Sequence, residues 1–258
     1  NETLIFEDSS HGVMAAQDSG CHLFTVKNLS DISYSNISNF IKNLMKDKKQ
    51  KNNSNYWSDP NLNILIPMAG AGSRFKKEGF KNIKPLIEVS GKTFIEWSVS
   101  TLDIEGNYIF VVQQQHLEQV KPELKRIKPN CQIFTVPELT RGAVETCLSA
   151  KDAINNDDPL IITNSDQTLW WDSKLYLQHL KKNDPDGDVV ICEANTDKFS
   201  YIKLDENGFG TQLAEKEVIS NNALVGVHYF KHGKDFVYSG EKLISKNIRS
   251  NNEFYVSL

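Results

Sequence analysis

Read from its hydrophobic and polar positions, the chain alternates short apolar runs with segments of helical spacing. Residues 63–68 form an apolar strand, and 84–89 a shorter second one. The spacing predicts a helix over 93–102, with Phe94, Trp97 and Val99 on its packing side. A buried strand follows at 108–112, then a polar-faced helix over 116–127 and a strand at 131–136. A helix over 142–154 leads to another apolar strand at 159–163. Strands apolar throughout and separated by helices predict a parallel sheet covered on both faces. Beyond Trp171 the pattern gives a helix over 173–182 and strands near 188–193, 201–204, 211–215 and 223–230. The run Asp205, Glu206, Asn207, Gly208 between two of these strands reads as a hairpin turn. The second half is therefore expected to add mixed or antiparallel strands. No internal repeat is visible.

The first 60 residues follow a different rhythm. Residues 3–8 read as a strand, 12–20 as a helix carrying Val13, Ala15 and Ala16, and 22–26 as a second strand. Such a βαβ-like unit is too short to bury a core alone. Phe40, Ile41 and Leu44 allow a short helix, after which 46–55 is dominated by lysine and asparagine and reads as a solvated linker. The division expected is 1–30, 31–60 as linker, and 61–258 as the main domain. Because the chain opens at Asn1 in a strand and closes in a strand-like run at 252–258, it is expected to be a piece of a longer polypeptide.

Composition narrows the function. With 29 Lys+Arg against 33 Asp+Glu in 258 residues, the net charge of −4 argues against general binding to nucleic acid or to an anionic membrane. Hydrophobic residues at 39% and charged residues at 24% are ordinary for a globular protein and too apolar for a disordered one. No apolar run reaches the roughly 18 residues of a membrane helix. Cys21, Cys131, Cys147 and Cys192 lack CxxC spacing, so neither a zinc site nor a disulfide framework is expected. No signal-peptide pattern is present, and the expected compartment is the cytoplasm.

The candidate chemistry starts where strand 63–68 runs into Ala69, Gly70, Ala71, Gly72, Ser73 and Arg74. An amide-lined glycine turn after a strand is a phosphate cradle. Phe75 stands where a Rossmann fingerprint needs its third glycine, and a Walker lysine is missing, so the loop alone is a weak signal. Arg74 adds a guanidinium able to hold a polyphosphate bidentately. Lys84 precedes Pro85, which biases its backbone toward extended geometry and aims its side chain.

These residues carry a family resemblance. The run from Ile64 through the glycine loop to Phe75, followed by Lys84, Pro85 and Leu86 and then by Gly91, Lys92, Ile95 and Trp97, resembles the opening of the sugar-phosphate nucleotidylyltransferases. The resemblance implies a Rossmann-like three-layer α/β/α fold, GT-A-like, with a mixed, mainly parallel sheet. It implies that Gly142 and Ala143, in the segment 140–145, lie against a nucleotide base. Asp166, in Asn164-Ser165-Asp166, stands where the family places a magnesium-binding aspartate. Glu215 and Lys216, ahead of 220–230, resemble the pair whose lysine grips the acceptor's phosphate. Glu217 departs from that pattern, where proline is usual. The family's second metal aspartate lies beyond the segment Glu253-Phe254-Tyr255 and falls outside these 258 residues, so turnover by this chain is open.

Residues 6–20 separately resemble the late acidic motif of haloacid-dehalogenase-type phosphatases, whose paired acids match Glu7 and Asp8. The aspartate nucleophile of that family lies in an earlier motif, so these acids are expected to be inactive and 1–30 to be the remnant of such a domain.

The activity implied is transfer of a nucleoside monophosphate from an NTP to a phosphorylated acceptor, a sugar 1-phosphate or similar phosphomonoester, with release of pyrophosphate and with Mg2+ as cofactor. An anionic nucleophile needs no strong base, which fits the lack of a Ser/His/Asp arrangement. Two alternatives stand beside it. A nucleotide-sugar-dependent glycosyltransferase would want a DxD motif where Asn164, Ser165 and Asp166 stand. A non-catalytic nucleotide-binding piece would keep the cradle without turnover. Trp170 and Trp171 suit either a lid or a core role. Gln113, Gln114 and Gln115 sit at a strand end, and His116, His179, His228 and His232 show no metal-ligand spacing.

Overall fold

The computed structural model describes residues 4–7, 22–25, 36, 39, 58–80 and 82–258, with the backbone alone for 4–7, 22–25, Arg74 and Lys76. Two compact units divide the chain, Asn1–Asn55 and Tyr56–Leu258. In the first, β1 (Leu4–Glu7) pairs in parallel with β2 (His22–Thr25), Leu4 opposite His22. The helix read over 12–20 and the segment 46–55 lie outside the described residues.

The second unit is built on β3 (Asn63–Pro67), β6 (Asn107–Gln113), β7 (Gln132–Val136) and β8 (Leu160–Thr163). All four run parallel, in the order β8-β3-β6-β7. Their side chains alternate between two cores. Ile64, Ile66, Tyr108, Phe110 and Ile161 face one side, and Leu65, Ile109, Val111, Leu160 and Ile162 the other. This two-sided burial is why each strand reads as continuously apolar.

Helices cover both faces. On the first lie α2 (Phe94–Leu102), α3 (Leu117–Ile127) and α6 (Ser173–Asn183). On the second lie α4 (Ala143–Leu148), α5 (Lys151–Ile154) and α7 (Gly233–Ser245). Side-chain caps begin two of them. Thr93 Oγ1 accepts from Glu96 N (3.2 Å), and Asp172 Oδ1 accepts from Lys174 N (3.1 Å) and Leu175 N (3.2 Å).

The sheet continues through antiparallel strands: β9 (Gly187–Glu193), β10 (Ser200–Leu204), β11 (Gly210–Glu215) and β12 (Asn222–Phe230). β12 runs antiparallel to β8, β9 and β10, and β10 pairs with β11 across the Asp205–Gly208 turn, where Gly208 N donates to Asp205 O (3.1 Å). The result is a mixed sheet with a parallel centre, as the pattern predicts.

Three local expectations are corrected, and one element is new. Residues 84–89 are not one strand. Against the extended geometry expected of a residue before proline, Lys84 opens a 3-10 turn with Pro85 and Leu86, Leu86 N donating to Ile83 O (2.9 Å) and Ile87 N to Lys84 O (3.2 Å), while Ile83 takes the extended conformation. Only β4 (Glu88–Val89) is extended there, pairing with β5 (Lys92–Thr93) across Ser90 (φ +52°) and Gly91 (φ +81°). The helix read over 142–154 is two, because bonds tighten to i→i−3 where Ser149 N meets Thr146 O (3.2 Å) and Ala150 N meets Cys147 O (3.0 Å). The run 252–258 is not a strand; it is a pair of turns with one bridge, Ser250 to Glu253, around the fully buried Phe254. Helix α7 was not anticipated, although Phe236, Val237 and Gly240 repeat on its buried side.

Candidate functional site

Because β3, β6, β7 and β8 are parallel, the loops after them open on one edge of the sheet, where ligands of such folds bind. After β3 the chain passes Met68, whose N–H donates to Val111 O (2.9 Å), into the glycine loop and then α1 (Ser73–Lys77). Gln113, buried at the end of β6, donates from Nε2 to Ala69 O (2.6 Å), and Gln115 Nε2 in turn donates to Gln113 Oε1 (2.6 Å). Gln113, oriented by Gln115, thus holds the start of the loop. Gly70 is exposed, with open space where a Cβ would stand. Gly72 has φ +59°, and its missing Cβ faces Lys84 Cβ at 3.4 Å. Glycine loop and Lys84 turn therefore pack together, around a cleft lined also by His116. The side chain of Arg74 lies outside the described residues; its backbone is in α1.

Asp166 follows β8 in the loop 164–171, which is clamped to α2. Ser98 Oγ donates to Gln167 O (2.9 Å) and accepts from Gln167 N (3.0 Å). Gln167 Nε2 donates to Thr163 Oγ1 (2.8 Å), Leu169 N to Thr101 Oγ1 (3.1 Å), and Trp171 Nε1 to Thr101 O (3.0 Å). Gly226, φ +77°, sits at the bulge of β12, and a Cβ there would lie 2.0 Å from Asn164 Nδ2. These anchors hold Asp166 over the sheet edge, where its carboxylate forms an ion pair with Lys84 Nζ. Both side chains are about one-third exposed, at 32% and 33%, and so remain open to a ligand. Lys84 Nζ also lies 5.6 Å from the centroid of the Phe75 ring. Trp171 packs at a tilt against Tyr176, ring centroids 5.1 Å apart, whereas Trp170 is 86% exposed.

Gly142 and Ala143 open α4. Gly142 has φ +137°, and a Cβ there would lie 2.4 Å from Phe254 N and 2.6 Å from Phe254 O. The requirement for glycine is therefore met by the backbone of Phe254, which donates to Arg141 O (2.9 Å) and accepts from Val144 N (3.0 Å). Arg141 pairs with Glu145 (2.5 Å), which holds the Glu145 carboxyl below its ordinary range. At the end of β11, Glu215 accepts from Ser200 Oγ and from Ser257 Oγ (2.7 Å). Lys216 follows with φ +57°, its Nζ donating to Tyr255 OH (2.8 Å). Glu7 stands in β1 with its side chain outside the described residues, as is Asp8 entirely.

Among the described residues no three His, Cys, Asp or Glu side chains gather into a metal cage. Asp166 fits a different mode, since Mg2+ commonly takes one or two carboxylates together with substrate phosphates. Among the described residues, too, no helix is long and apolar enough to cross a membrane. Sequence reasoning set Asp166 in one phosphate-binding crevice with Lys84 without pairing the two, and it gave no role to Ser98, Gln167, Gly226 or Tyr255. Gly226 alone carries a local signal, a glycine inside a strand pattern.

Three comparisons bear on this geometry. A bifunctional GlmU protein of Methanocaldococcus jannaschii is 22% identical over 174 residues, 67% of this chain, and the chain spans 40% of that relative's length. Two solved structures share the fold. The nucleoside-diphosphate-sugar pyrophosphorylase of Vibrio cholerae RC9 superposes with a TM-score of 0.62 at 22% identity, covering 75% of this chain and 84% of its own. A UDP-glucose pyrophosphorylase complexed with UDP-glucose gives 0.60 at 20% identity, covering 76% and 84%. A family model described as nucleotidyl transferase matches residues 64–247, from β3 through α7, and this chain belongs to that nucleotidyl transferase family.

Proposed function

We propose that the unit 61–258 transfers a nucleoside monophosphate from an NTP to a phosphomonoester acceptor of the sugar 1-phosphate class, releasing pyrophosphate. The observation that carries this reading is the meeting of Lys84 and Asp166 beside the glycine loop, at the carboxyl edge of β3 and β8. An acceptor phosphate oxygen attacks the α-phosphorus, a P–O bond forms, and the bond to the bridging β-phosphate oxygen breaks with its electron pair leaving on pyrophosphate. Catalysis is then positioning and charge neutralisation. The amides of Ala69, Gly70, Ala71, Gly72 and Ser73, together with Arg74, hold the departing phosphates. Lys84 meets the α-phosphate, and Lys216 meets the acceptor's phosphate with Glu215 beside it. Gly142 and Ala143 border the nucleotide. Asp166 would hold Mg2+, which when bound neutralises charge on phosphate oxygens.

We read 1–30 as haloacid-dehalogenase-like, on its motif at 6–20 that carries Glu7 and Asp8, with 31–60 as linker.

The test is a matrix of the four NTPs against a panel of phosphomonoesters, with pyrophosphate release as the readout, with and without Mg2+. Release of pyrophosphate with one nucleotide and one acceptor supports the reading. Nucleotide binding with no turnover for any pair overturns it in favour of a binding module, and release of a nucleoside diphosphate from a nucleotide sugar would assign a glycosyltransferase instead.

A further inference from the structure

Residues 253–257 form no strand, yet they tie together two segments distant in sequence. Toward the turn after β7, the Phe254 backbone bonds to Arg141 O (2.9 Å) and Val144 N (3.0 Å) and fills the space where a Gly142 Cβ would stand. Toward the end of β11, Ser257 Oγ donates to Glu215 Oε2 (2.7 Å), and Tyr255 receives Lys216. The contact with Lys216 has two parts: a hydrogen bond from Nζ to the phenol oxygen (2.8 Å), and the ammonium 4.9 Å from the ring centroid.

Lys216 is tied at both its backbone and its side chain. Its backbone is left-handed at φ +57°, a conformation that a non-glycine residue keeps only where its surroundings impose it, and its N–H donates to Phe199 O (3.1 Å). A free lysine side chain carries roughly 2 kcal/mol of rotamer entropy, which any ligand that fixes it must offset. The chemistry of the anchor matters. Lys84 is held by a carboxylate, which neutralises it. Lys216 is held by a neutral phenol, and among the described residues no carboxylate forms an ion pair with it. A phenol orients the ammonium, leaves its charge uncancelled, and occupies one of three N–H donors, so two remain for an anion. The phenol contact also raises the lysine's pKa, with lesser help from the charges of Glu215 and Glu253, so the ammonium stays charged across the physiological range.

We propose that Tyr255 is a positioning residue that pre-aims the Lys216 ammonium for the phosphate of the acceptor, and that the segment 253–257 fixes this aim relative to the 141–144 turn. The inference deepens the acceptor role proposed for Lys216 and rests on it.

The experiment uses the full chain and needs no knowledge of the acceptor. Competitive acetylation with acetic anhydride, read by mass spectrometry across pH 7–11, reports the reactivity of Lys216, with Lys84 as internal reference. Calorimetric titration with inorganic phosphate reports anion affinity. Tyr255→Phe, which keeps the ring and removes the hydroxyl, should raise Lys216 acetylation and weaken phosphate binding about 3- to 10-fold, the equivalent of one charge-assisted hydrogen bond only partly replaced by water. Acetylation of Lys84 and the melting temperature should stay at wild-type values, which a merely structural role would not predict. Tyr255→Leu should go further in the same direction. The proposal is overturned if both variants leave Lys216 reactivity and phosphate affinity unchanged while Lys216→Ala weakens phosphate binding. Unchanged phosphate affinity in Lys216→Ala itself overturns the acceptor role, and the two failures are thereby told apart.

Discussion

Substituting Gly142 by alanine tests whether the turn before α4 is shaped by the C-terminal segment or left open to a ligand. At φ +137° and ψ 177°, Gly142 occupies a region essentially reserved for glycine, where a side chain costs about 1–3 kcal/mol. The new Cβ would also stand 2.4 Å from Phe254 N and 2.6 Å from Phe254 O. Both are backbone atoms, so relief requires moving the Phe254 peptide. That movement strains the bonds Phe254 N to Arg141 O and Val144 N to Phe254 O, each contributing on the order of 1 kcal/mol. The phenylalanine cannot follow freely, because its ring is fully buried. The combined loss is about 3 kcal/mol, which for a unit of this size lowers the melting temperature by roughly 6–12 °C. Differential scanning calorimetry on the full chain, with urea unfolding by tryptophan fluorescence as a second probe, measures it. A loss below about 0.5 kcal/mol would show that Phe254 does not press on Gly142, and the account of the C-terminal segment would fail with it.

Other expectations follow from the same geometry. Lys84→Ala and Asp166→Ala should each lower turnover about 10²–10³-fold, while stability changes by at most about 1 kcal/mol, because a pair one-third exposed contributes little to folding; steady-state kinetics beside thermal melts separates the two, and a large melt shift with near-normal turnover would make the pair structural. Burial lowers the pKa of His228, set in β12 between Ile162 and Val189, to about 4. The neutral ring is thus favoured by folding, so its contribution of about 3 kcal/mol is complete above pH 6.5 and lost as pH falls from 6.5 toward 4; urea unfolding across that window should show the slope, and His228→Gln should flatten it. Ser98→Ala removes both hydrogen bonds to Gln167, leaving the partly buried Gln167 backbone groups short of a partner. Since Gln167 is only partly buried, this should cost about 1 kcal/mol in denaturant unfolding and speed hydrogen exchange in the 164–169 loop, and unchanged exchange there would contradict the clamp.

What could be read from the chain by itself was local in cause. The doubly buried strands announced themselves because each of their residues faces one of two cores, so Ile64, Leu65 and Ile66 are all apolar. The glycine loop and the turn at Asp205–Gly208 were legible because particular backbone angles demand particular residues. Gly142 shows where that reasoning stops: the need for a bare Cα was visible, and its cause, the peptide of Phe254 more than a hundred residues later, was not. Residues 252–258 misled for a related reason, since an apolar alternation reads as a strand unless the buried position, Phe254, is seen to plug a core between α4 and α7.

That Lys84 and Asp166 meet directly was settled by strand order. Lys84 and Asp166 stand 82 positions apart, and neither carries a mark of the other. They meet because β3 takes β8 as its parallel neighbour, Asn63 opposite Leu160, which brings the loops after both strands to one edge. That choice is made by the burial of many side chains at once, and no local stretch encodes it. The same holds for Lys216, whose residue type was conspicuous and whose neutral anchor, Tyr255, appears only when β11 and the last turns of the chain are folded against each other.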